Sequence, residues 1–282
     1  MDEKQIKKSA VRTDKWLKAR QSKHLRMVEN SVKKMQDSII DNLRLLEINP
    51  NGRVEGLKVN LKNAQKLQMK VEQIFGKDWN TDTQKIVQDY KNTETLIKSA
   101  YNDLDEAVKF TSIDRDTMKI LRDGDYQNYL SLGVQQKDKI VQGIYDQVIG
   151  NGRFNDLVKI IEGALLGNKS VTGRPLVQYG RLYARDFIMN FHNEVNLQKG
   201  IDIGLDRFLY LGNIIATSRD FCKRRVGKSY TKDQIDSWTN KWKGKSGPAW
   251  THRGGYNCRH HWQPIRKEWV DGRINVGNWF KE

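Results

Sequence analysis

The side chains best suited to chemistry lie in the last quarter of the chain, which holds both cysteines and three of the five histidines. Cys222 precedes His252 by thirty residues, and Cys258 is followed closely by His260 and His261. Two thiolates and two imidazoles are a ligand set that suits tetrahedral Zn²⁺. We therefore take Cys222, His252, Cys258 and His260 as a candidate zinc site.

The spacing of these residues leaves other interpretations open. The segment has no Cys-x-x-Cys pair, and adjacent histidines on an extended chain do not readily point at one ion. The two thiols could instead pack as small hydrophobic groups. They could also form a disulfide, although two cysteines are too few for a disulfide framework.

A nuclease is a further alternative for the same stretch. The Gly254-Gly255 turn, the His260-His261 pair and the downstream Asn275 are similar to elements of the ββα-metal nucleases. In that family one histidine activates water and others hold a divalent ion. No histidine follows residue 261 to complete such a metal set, so we expect a protein that is not an enzyme.

The charge of the chain indicates a polyanionic partner. The formal net charge is +16, and from residue 215 onward fifteen Lys and Arg stand against six Asp and Glu. Basic side chains among aromatic ones suit contact with a phosphate backbone, although a solvated basic face has the same pattern. The candidate nucleic-acid contacts are Arg219, Lys223, Arg224, Arg225, Lys228, Arg253 and Arg259, and the same pattern extends to Lys241, Lys243 and Lys245.

The composition of the chain is typical of a helical protein with a thin core. Hydrophobic residues make up 37% of the chain and charged residues 30%, and prolines number only four, which together favour long helices around a thin core. The apolar runs are too short to span a bilayer. The charged N-terminal stretch lacks the apolar segment of a secretory signal, so we expect the chain to stay in the compartment where it is made.

Periodicity predicts helices over the first 204 residues. An apolar stripe from Leu25 to Leu46 ends at the Asn49–Gly52 turn, and Gly76 is a candidate C-cap for the next helix. We expect an extended helical hairpin or bundle over residues 1–110 and a helical core region over residues 111–204. The predicted helices cover residues 25–46, 54–75, 82–108, 134–149, 154–166 and 175–199.

The pattern changes after residue 204. Residues 208–215 are aromatic and β-branched, which predicts a strand. Thr231 and Gln234 have the spacing of a capping box at the start of a short helix that runs to Trp242. Six of the eight tryptophans follow residue 237, and we expect Trp250 and Trp262 in a local core. The predicted fold is mainly α, with a basic, Trp-rich mixed α/β domain over residues 205–282.

Four segments of this chain resemble the Mu F-like head morphogenesis family of tailed phages, whose members are also called minor head or minor capsid proteins. That family has a helix of the "ARTE" type, a strand, an Asp-containing Cys segment ending in Gly, and a terminal H-P-x-C-R-C element. The corresponding segments here are Tyr183-Ala184-Arg185-Asp186, Phe208-Leu209-Tyr210-Leu211, Ser218-Arg219-Asp220-Phe221-Cys222 with Gly227, and Gly255-Tyr256-Asn257-Cys258-Arg259-His260-His261-Trp262.

The resemblance spans roughly residues 175–265 and departs from the family at two cysteine positions. Arg225 stands three residues after Cys222, and His260 replaces the last cysteine of the C-R-C element. A site built from the family's cysteines would therefore retain at most a Cys/His version here, with zinc, a disulfide or packing alone joining its halves. We expect a structural clasp made by Asp220, Cys222, Cys258 and Trp262, in which Asp220 accepts hydrogen bonds from its loop or pairs with Arg219 or Arg259.

The resemblance also implies a role. A minor head protein would dock on the portal or the major capsid protein, assist assembly and lie close to packaged phage DNA, with no membrane or small-molecule substrate among its partners. It would be found in the virion, inside the capsid or near the portal, and in the host cytoplasm during assembly. A metal-dependent HNH-like nuclease and a stand-alone, zinc-stabilised nucleic-acid-binding protein remain the alternatives.

Overall fold

The structure is a computed structural model that describes residues 3–168, 173–238, 248–269, 275–276 and 279–280. It confirms the predicted fold class, because the chain is mainly helical with one small sheet near the C-terminus. The helices are α1 (Glu3–Asn42), α2 (Leu57–Ile74), α3 (Asn80–Gln88), α4 (Thr93–Asn102), α5 (Ser112–Ile149), α6 (Phe154–Leu165), α7 (Leu176–Asp202), α8 (Asp220–Arg225), α9 (Lys232–Asp236) and α10 (Ala249–His252). The strands are β1 (Arg207–Leu211), β2 (Ser229–Tyr230) and β3 (His261–Ile265).

The chain divides into two compact units. The first unit comprises Met1–Ser22, Asp89–Arg122 and Arg185–Glu282, and the second comprises Lys23–Gln88 and Asp123–Ala184. Helices α1, α5 and α7 each contribute a segment to both units. The units therefore interleave along the sequence and do not coincide with the consecutive ranges 1–110, 111–204 and 205–282.

The second unit contains the apolar stripe that the sequence predicts on α1. Val28, Val32, Met35 and Ile39 are all fully buried, as their three-to-four spacing requires. The predicted turn follows, with Gly52 at φ 72° and its N–H donating to the carbonyl of Asn49. This part of α1 and its turn therefore follow from local sequence alone.

The predicted C-cap at Gly76 is wrong. The backbone does not end a helix there but widens into a π-helical turn over Phe75–Trp79 and continues as α3. The wider turn buries both Phe75 and Trp79, and the Trp79 indole N–H donates to the carbonyl of Tyr129 at 2.8 Å. The contact of Trp79 with Tyr129 thus favours a helix that continues past Gly76, and the exposed Gly76 is tolerated in the π-helical turn.

The long helix predicted over residues 82–108 is interrupted. A 3-10 turn at Asp89–Asn92 separates α3 from α4, and α4 ends at Asn102. Tyr90, Ile97, Tyr101 and Leu104 are nevertheless fully buried, as the apolar pattern predicts. The apolar spacing therefore predicted which residues are buried, but it did not predict the 3-10 turn that interrupts the helix.

The first unit contains the antiparallel sheet, in the order β2-β1-β3. Central strand β1 pairs Tyr210 with Trp262 and Leu211 with His261 on β3. The strand is shorter than the predicted 208–215, because Gly212 adopts φ 140° and ends it. Residues 208–211 are all buried, so β1 has no solvent-facing side and is covered on both faces.

Helix α7 lies directly against β3 within the first unit. The Asn196 amide donates to the carbonyl of Trp262 at 3.1 Å, and the Asn193 amide oxygen accepts from the Trp262 backbone N–H at 3.3 Å. A Cβ at Gly200 would come within 2.5 Å of Pro264, so a glycine is required for this close approach. The helix and the strand are therefore held by polar side chains as well as by apolar contact.

Helix α9 begins with the expected capping box. The Thr231 hydroxyl accepts from the Gln234 N–H, and the Gln234 side chain accepts from the Thr231 N–H. The predicted end of that helix at Trp242 lies outside the described residues. Among the helices that the structure describes, none is long and apolar enough to cross a membrane.

Asp125 provides a test of the packing of α5 in the second unit. Burial raises the pKa of its carboxyl to about 7, so the folded protein holds a proton that the unfolded chain releases near pH 4. Its contribution to stability is therefore full below about pH 4 and is lost as the pH rises through 7. The difference between the two pKa values corresponds to roughly 4 kcal/mol at most.

We expect Asp125→Asn to stabilise the protein relative to wild type at pH 8, by about 2 kcal/mol more than at pH 4.5, because the amide does not ionise. Urea denaturation at the two pH values measures this difference. Asp116→Asn, at an exposed position of the same helix, is the control and should change stability by less than about 0.5 kcal/mol. An equal pH dependence for the two variants would contradict the assignment.

Candidate metal centre

Three separate segments of the first unit meet at the two cysteines. Cys222 lies on α8, Cys258 lies in the turn that precedes β3, and His260 immediately precedes that strand. Tyr210, on β1, completes the group from the sheet. Cys222, Cys258 and His260 are all buried.

Two of the distances in this group are compatible with a metal centre. The two sulfurs lie 3.8 Å apart, and the Cys258 sulfur lies 3.5 Å from Nδ1 of His260. Tetrahedral Zn²⁺ with bonds of about 2.3 Å to sulfur and 2.0 Å to nitrogen requires edges of about 3.8 Å and 3.5 Å. The three ligand atoms all lie within 4.8 Å of one another, so the group could hold a metal ion.

Hydrogen-bond donors surround the two sulfurs. The Tyr210 hydroxyl lies 3.4 Å from the Cys222 sulfur and 3.5 Å from the Cys258 sulfur. The backbone N–H of Gly254 donates to the Cys258 sulfur at 3.3 Å. The Tyr210 ring also stacks on that of His260, with centroids 5.3 Å apart. Such outer contacts orient metal ligands and stabilise thiolate charge.

Two glycines make room for the group. A Cβ at Gly254 would lie 2.3 Å from the Cys222 sulfur, and one at Gly212 would lie 2.7 Å from the His260 ring. Gly212 also has φ 140°, a conformation that side chains disfavour. The Gly-Gly turn noted in the sequence therefore serves close approach to sulfur.

The backbone beside Cys258 is held by a carboxylate from α7. Asn257 adopts φ 56°, and its N–H donates to Oδ1 of Asp186 at 2.8 Å. Asp186 is buried, and it belongs to the helix segment of the motif resemblance. Neither this role nor that of Tyr210 was predicted from the sequence, because both depend on contacts between distant segments.

The two thiols are coupled through the contact between their sulfurs. The hydrogen bond to Cys258 and burial raise the pKa of Cys222. Burial also raises the pKa of Cys258, but hydrogen bonds from Cys222 and His260, with the charge of Arg253, outweigh it and bring that pKa well below its usual value. Burial raises the pKa of Tyr210, so its hydroxyl remains a donor. The two pKa values shift in opposite directions, so Cys258 is the more acidic of the two thiols.

The centre opens on one side into a cavity of about 130 Å³. The three candidate ligands form its inner wall. The rest of the wall consists of polar and basic side chains with one isoleucine: Asn213, Ile215, Thr217, Ser218, Arg219, Asn257 and Arg259. The three candidate ligands therefore border the same cavity as these polar and basic residues.

The remaining predicted ligand and clasp residues are placed differently. His252 is on α10 and is not part of the group of three. Asp220 begins α8 and is exposed, and Arg219 donates instead to the carbonyl of Tyr256 at 2.9 Å. The predicted contact of Cys222 with Cys258 is present, but a distance of 3.8 Å between sulfurs is a contact and not a disulfide.

The tryptophans behave as expected of a local core. Trp262 is fully buried, and its indole N–H donates to the backbone carbonyl of Trp250 at 3.1 Å. Its ring lies 4.5 Å from that of Tyr210, and the half-buried Trp250 ring lies 4.7 Å from that of Phe208. Trp262 thus supports the strand that carries Tyr210.

His261, which the nuclease interpretation pairs with His260, is buried. It lies on β3 with its ring 6.4 Å from that of His192 on α7. Burial lowers the pKa of each of these histidines to about 3, so both are neutral at pH 7. In the described part of the chain no carboxylate joins the group at the sulfurs.

Five of the seven predicted nucleic-acid contacts are exposed, and no carboxylate in the described part of the chain forms an ion pair with them. These are Arg219, Lys223, Arg224, Lys228 and Arg259. Arg225 instead lies over the rings of Phe221 and Trp238, at 4.0 and 4.1 Å. Lys241, Lys243 and Lys245 lie outside the described residues.

Arg253 does not belong in the nucleic-acid set. It is fully buried, and its Nη1 donates to the side-chain oxygen of Asn190 at 3.1 Å and to the carbonyl of Thr251. A guanidinium with no exposed surface does not reach a phosphate. Its charge acts inward and helps to lower the pKa of Cys258.

Comparisons with known proteins gave no match. The chain matches no protein-family model, no curated protein and no solved structure. The chemistry of the centre therefore follows from its own geometry, charge and donor set. Two sulfurs and an imidazole select a borderline or soft metal ion over the hard ions Mg²⁺ and Ca²⁺.

Proposed function

We propose that this chain is a minor head protein of a tailed phage, with a structural and assembly role. It docks on the portal or the inner capsid and contacts packaged DNA without sequence specificity. Zinc held by Cys222, Cys258 and His260 pins the C-terminal part of the fold. His252, the fourth ligand predicted from the sequence, is not a ligand of this proposed site, and the fourth position of the zinc is open.

One observation carries the proposal. The four segments that resemble the head morphogenesis family lie in different elements between residues 183 and 262, and residues from each of them meet at one buried centre. Asp186 holds the Asn257 N–H, Tyr210 contacts both sulfurs, and Cys222 meets Cys258. Their convergence on one centre supports a fold shared with that family.

Zinc is favoured over a bare thiol pair by the match of distances and by the donors around the sulfurs. A structural zinc site also stabilises folding directly, because metal binding and folding are coupled. The sheet is small, with two residues in β2 and five in each of β1 and β3. A metal that links α8 to the segment leading into β3 would add stability that so small a sheet does not supply.

We expect the purified protein to contain about one zinc per chain, because the described residues contain one such group of ligands. Cys222→Ser, Cys258→Ser and His260→Ala should each remove most of it, as measured by elemental analysis. His252→Ala is the matched control and should retain zinc, since His252 is not part of the ligand group. Fewer than about 0.2 zinc per wild-type chain would rule the metal out.

The DNA contact follows from the exposed basic side chains near α8. Phosphate contacts are electrostatic, so their loss weakens binding and reduces its salt dependence by about 0.9 in log–log slope per contact. The triple variant Lys223→Gln, Arg224→Gln and Lys228→Gln should therefore bind duplex DNA of any sequence more weakly, with a shallower slope. Fluorescence anisotropy over a salt series measures both quantities.

A charge-matched control separates local contact from net charge. Lys58, Lys62 and Lys66 are exposed on α2, and their triple change to glutamine removes the same charge elsewhere. We expect this variant to retain a slope close to that of wild type. Equal weakening by the two triple variants would show that bulk charge alone attracts the DNA.

The head role itself is tested in particles. We expect antibodies against the chain to detect it in purified virions and to co-precipitate the portal protein from infected cells. The result should not depend on nuclease treatment of the lysate, because the docking contact is between proteins. A protein that binds zinc and DNA but is absent from virions would instead be the stand-alone nucleic-acid-binding alternative.

A further inference from the structure

The candidate metal centre has three ligands from the chain and an open fourth side. Among the described residues, no further Cys, His, Asp or Glu joins Cys222, Cys258 and His260. The same three residues form the inner wall of the cavity of about 130 Å³. A water needs roughly 10–15 Å³ of such space, so the cavity has room for a solute larger than water.

The wall of this cavity is cationic and rich in hydrogen-bond donors. The residues that line it include Arg219 and Arg259, Asn213 and Asn257, and Thr217, whose side chains carry guanidinium, amide and hydroxyl donors. The lining contains no carboxylate. Zn²⁺ with two thiolates and a neutral imidazole has no net charge, so the two arginines make the lined space positive.

Arg219 is oriented and not merely nearby. Its Nη2 donates to the backbone carbonyl of Tyr256 at 2.9 Å, which ties the start of α8 to the turn that carries Cys258. This bond uses one of the five N–H groups of the guanidinium and fixes the plane of the others. A preorganised guanidinium costs less entropy on binding an oxyanion than a flexible one.

We propose that the fourth position of the metal binds a phosphate oxygen supplied from outside the chain, with Arg219 and Arg259 holding the remaining oxygens. This inference rests on the zinc site of the proposed function. Phosphate fits better than a carboxylate because the wall presents more donors than two oxygens can accept. The phosphate is either a free anion or part of the DNA backbone, and both present the same oxygens.

Cobalt substitution tests the inference directly. Co²⁺ replaces Zn²⁺ at tetrahedral sites, and its visible absorption reports the identity of each ligand. We expect thiolate-to-cobalt absorption in the wild-type protein and a change in the visible bands when inorganic phosphate is added. Parallel titrations use acetate, a short DNA duplex with 5′-phosphates, and the same duplex without them.

Arginine variants connect the spectral change to the cavity wall. Arg219→Gln and Arg259→Gln should each weaken the phosphate effect about tenfold, the loss expected for one charge-assisted hydrogen bond. Both variants should retain the thiolate-to-cobalt absorption, which shows that the protein is folded and loaded. Arg26→Gln is the control, because Arg26 is exposed on α1 and does not line the cavity.

The possible outcomes distinguish phosphate binding from the zinc site on which it depends. A response to inorganic phosphate, or to a duplex only, supports the proposal and identifies the source of the phosphate. Cobalt bands that no phosphate source alters, or that acetate alters equally, overturn it while leaving the zinc site intact. Absence of thiolate-to-cobalt absorption in wild type would instead refute the zinc site and this inference with it.

Discussion

The contact between two buried sulfurs is the constraint on which the C-terminal part of the fold depends. The sulfurs of Cys222 and Cys258 are 3.8 Å apart, and a buried thiolate is tolerated only where donors compensate its lost hydration. Tyr210 and Gly254 provide such donors from the sheet and from the turn. Strand, short helix and turn are thereby held in one arrangement by a single polar cluster.

The same cluster explains why small residues and an acidic residue occur around it. Glycine at 254 permits the turn to approach sulfur, and Asp186 fixes the left-handed backbone of Asn257. Removing either would displace a ligand without touching the ligand itself. The centre is therefore supported from α7 as well as from β1, which is how precise ligand geometry is usually maintained.

Basic residues in this region have three different roles that charge alone does not separate. Arg225 is half-buried over two aromatic rings and Arg253 is fully buried, so neither belongs to the exposed basic set. Lys223, Arg224 and Lys228 are exposed and suit long-range attraction of a polyanion. Arg219 and Arg259 line the cavity beside the sulfurs, where their charge acts on whatever enters it.

The sequence by itself determined the fold class, the buried stripe of α1, the Asn49–Gly52 turn, the capping box at Thr231 and the meeting of Cys222 with Cys258. Each of these rests on local periodicity, on turn and cap chemistry, or on a motif that joins two segments. Only the tertiary structure decided that a π-helical turn continues past Gly76, that His252 is outside the metal group, and that Arg253 is buried. Those outcomes depend on contacts between residues distant in sequence, and local patterns do not encode such contacts.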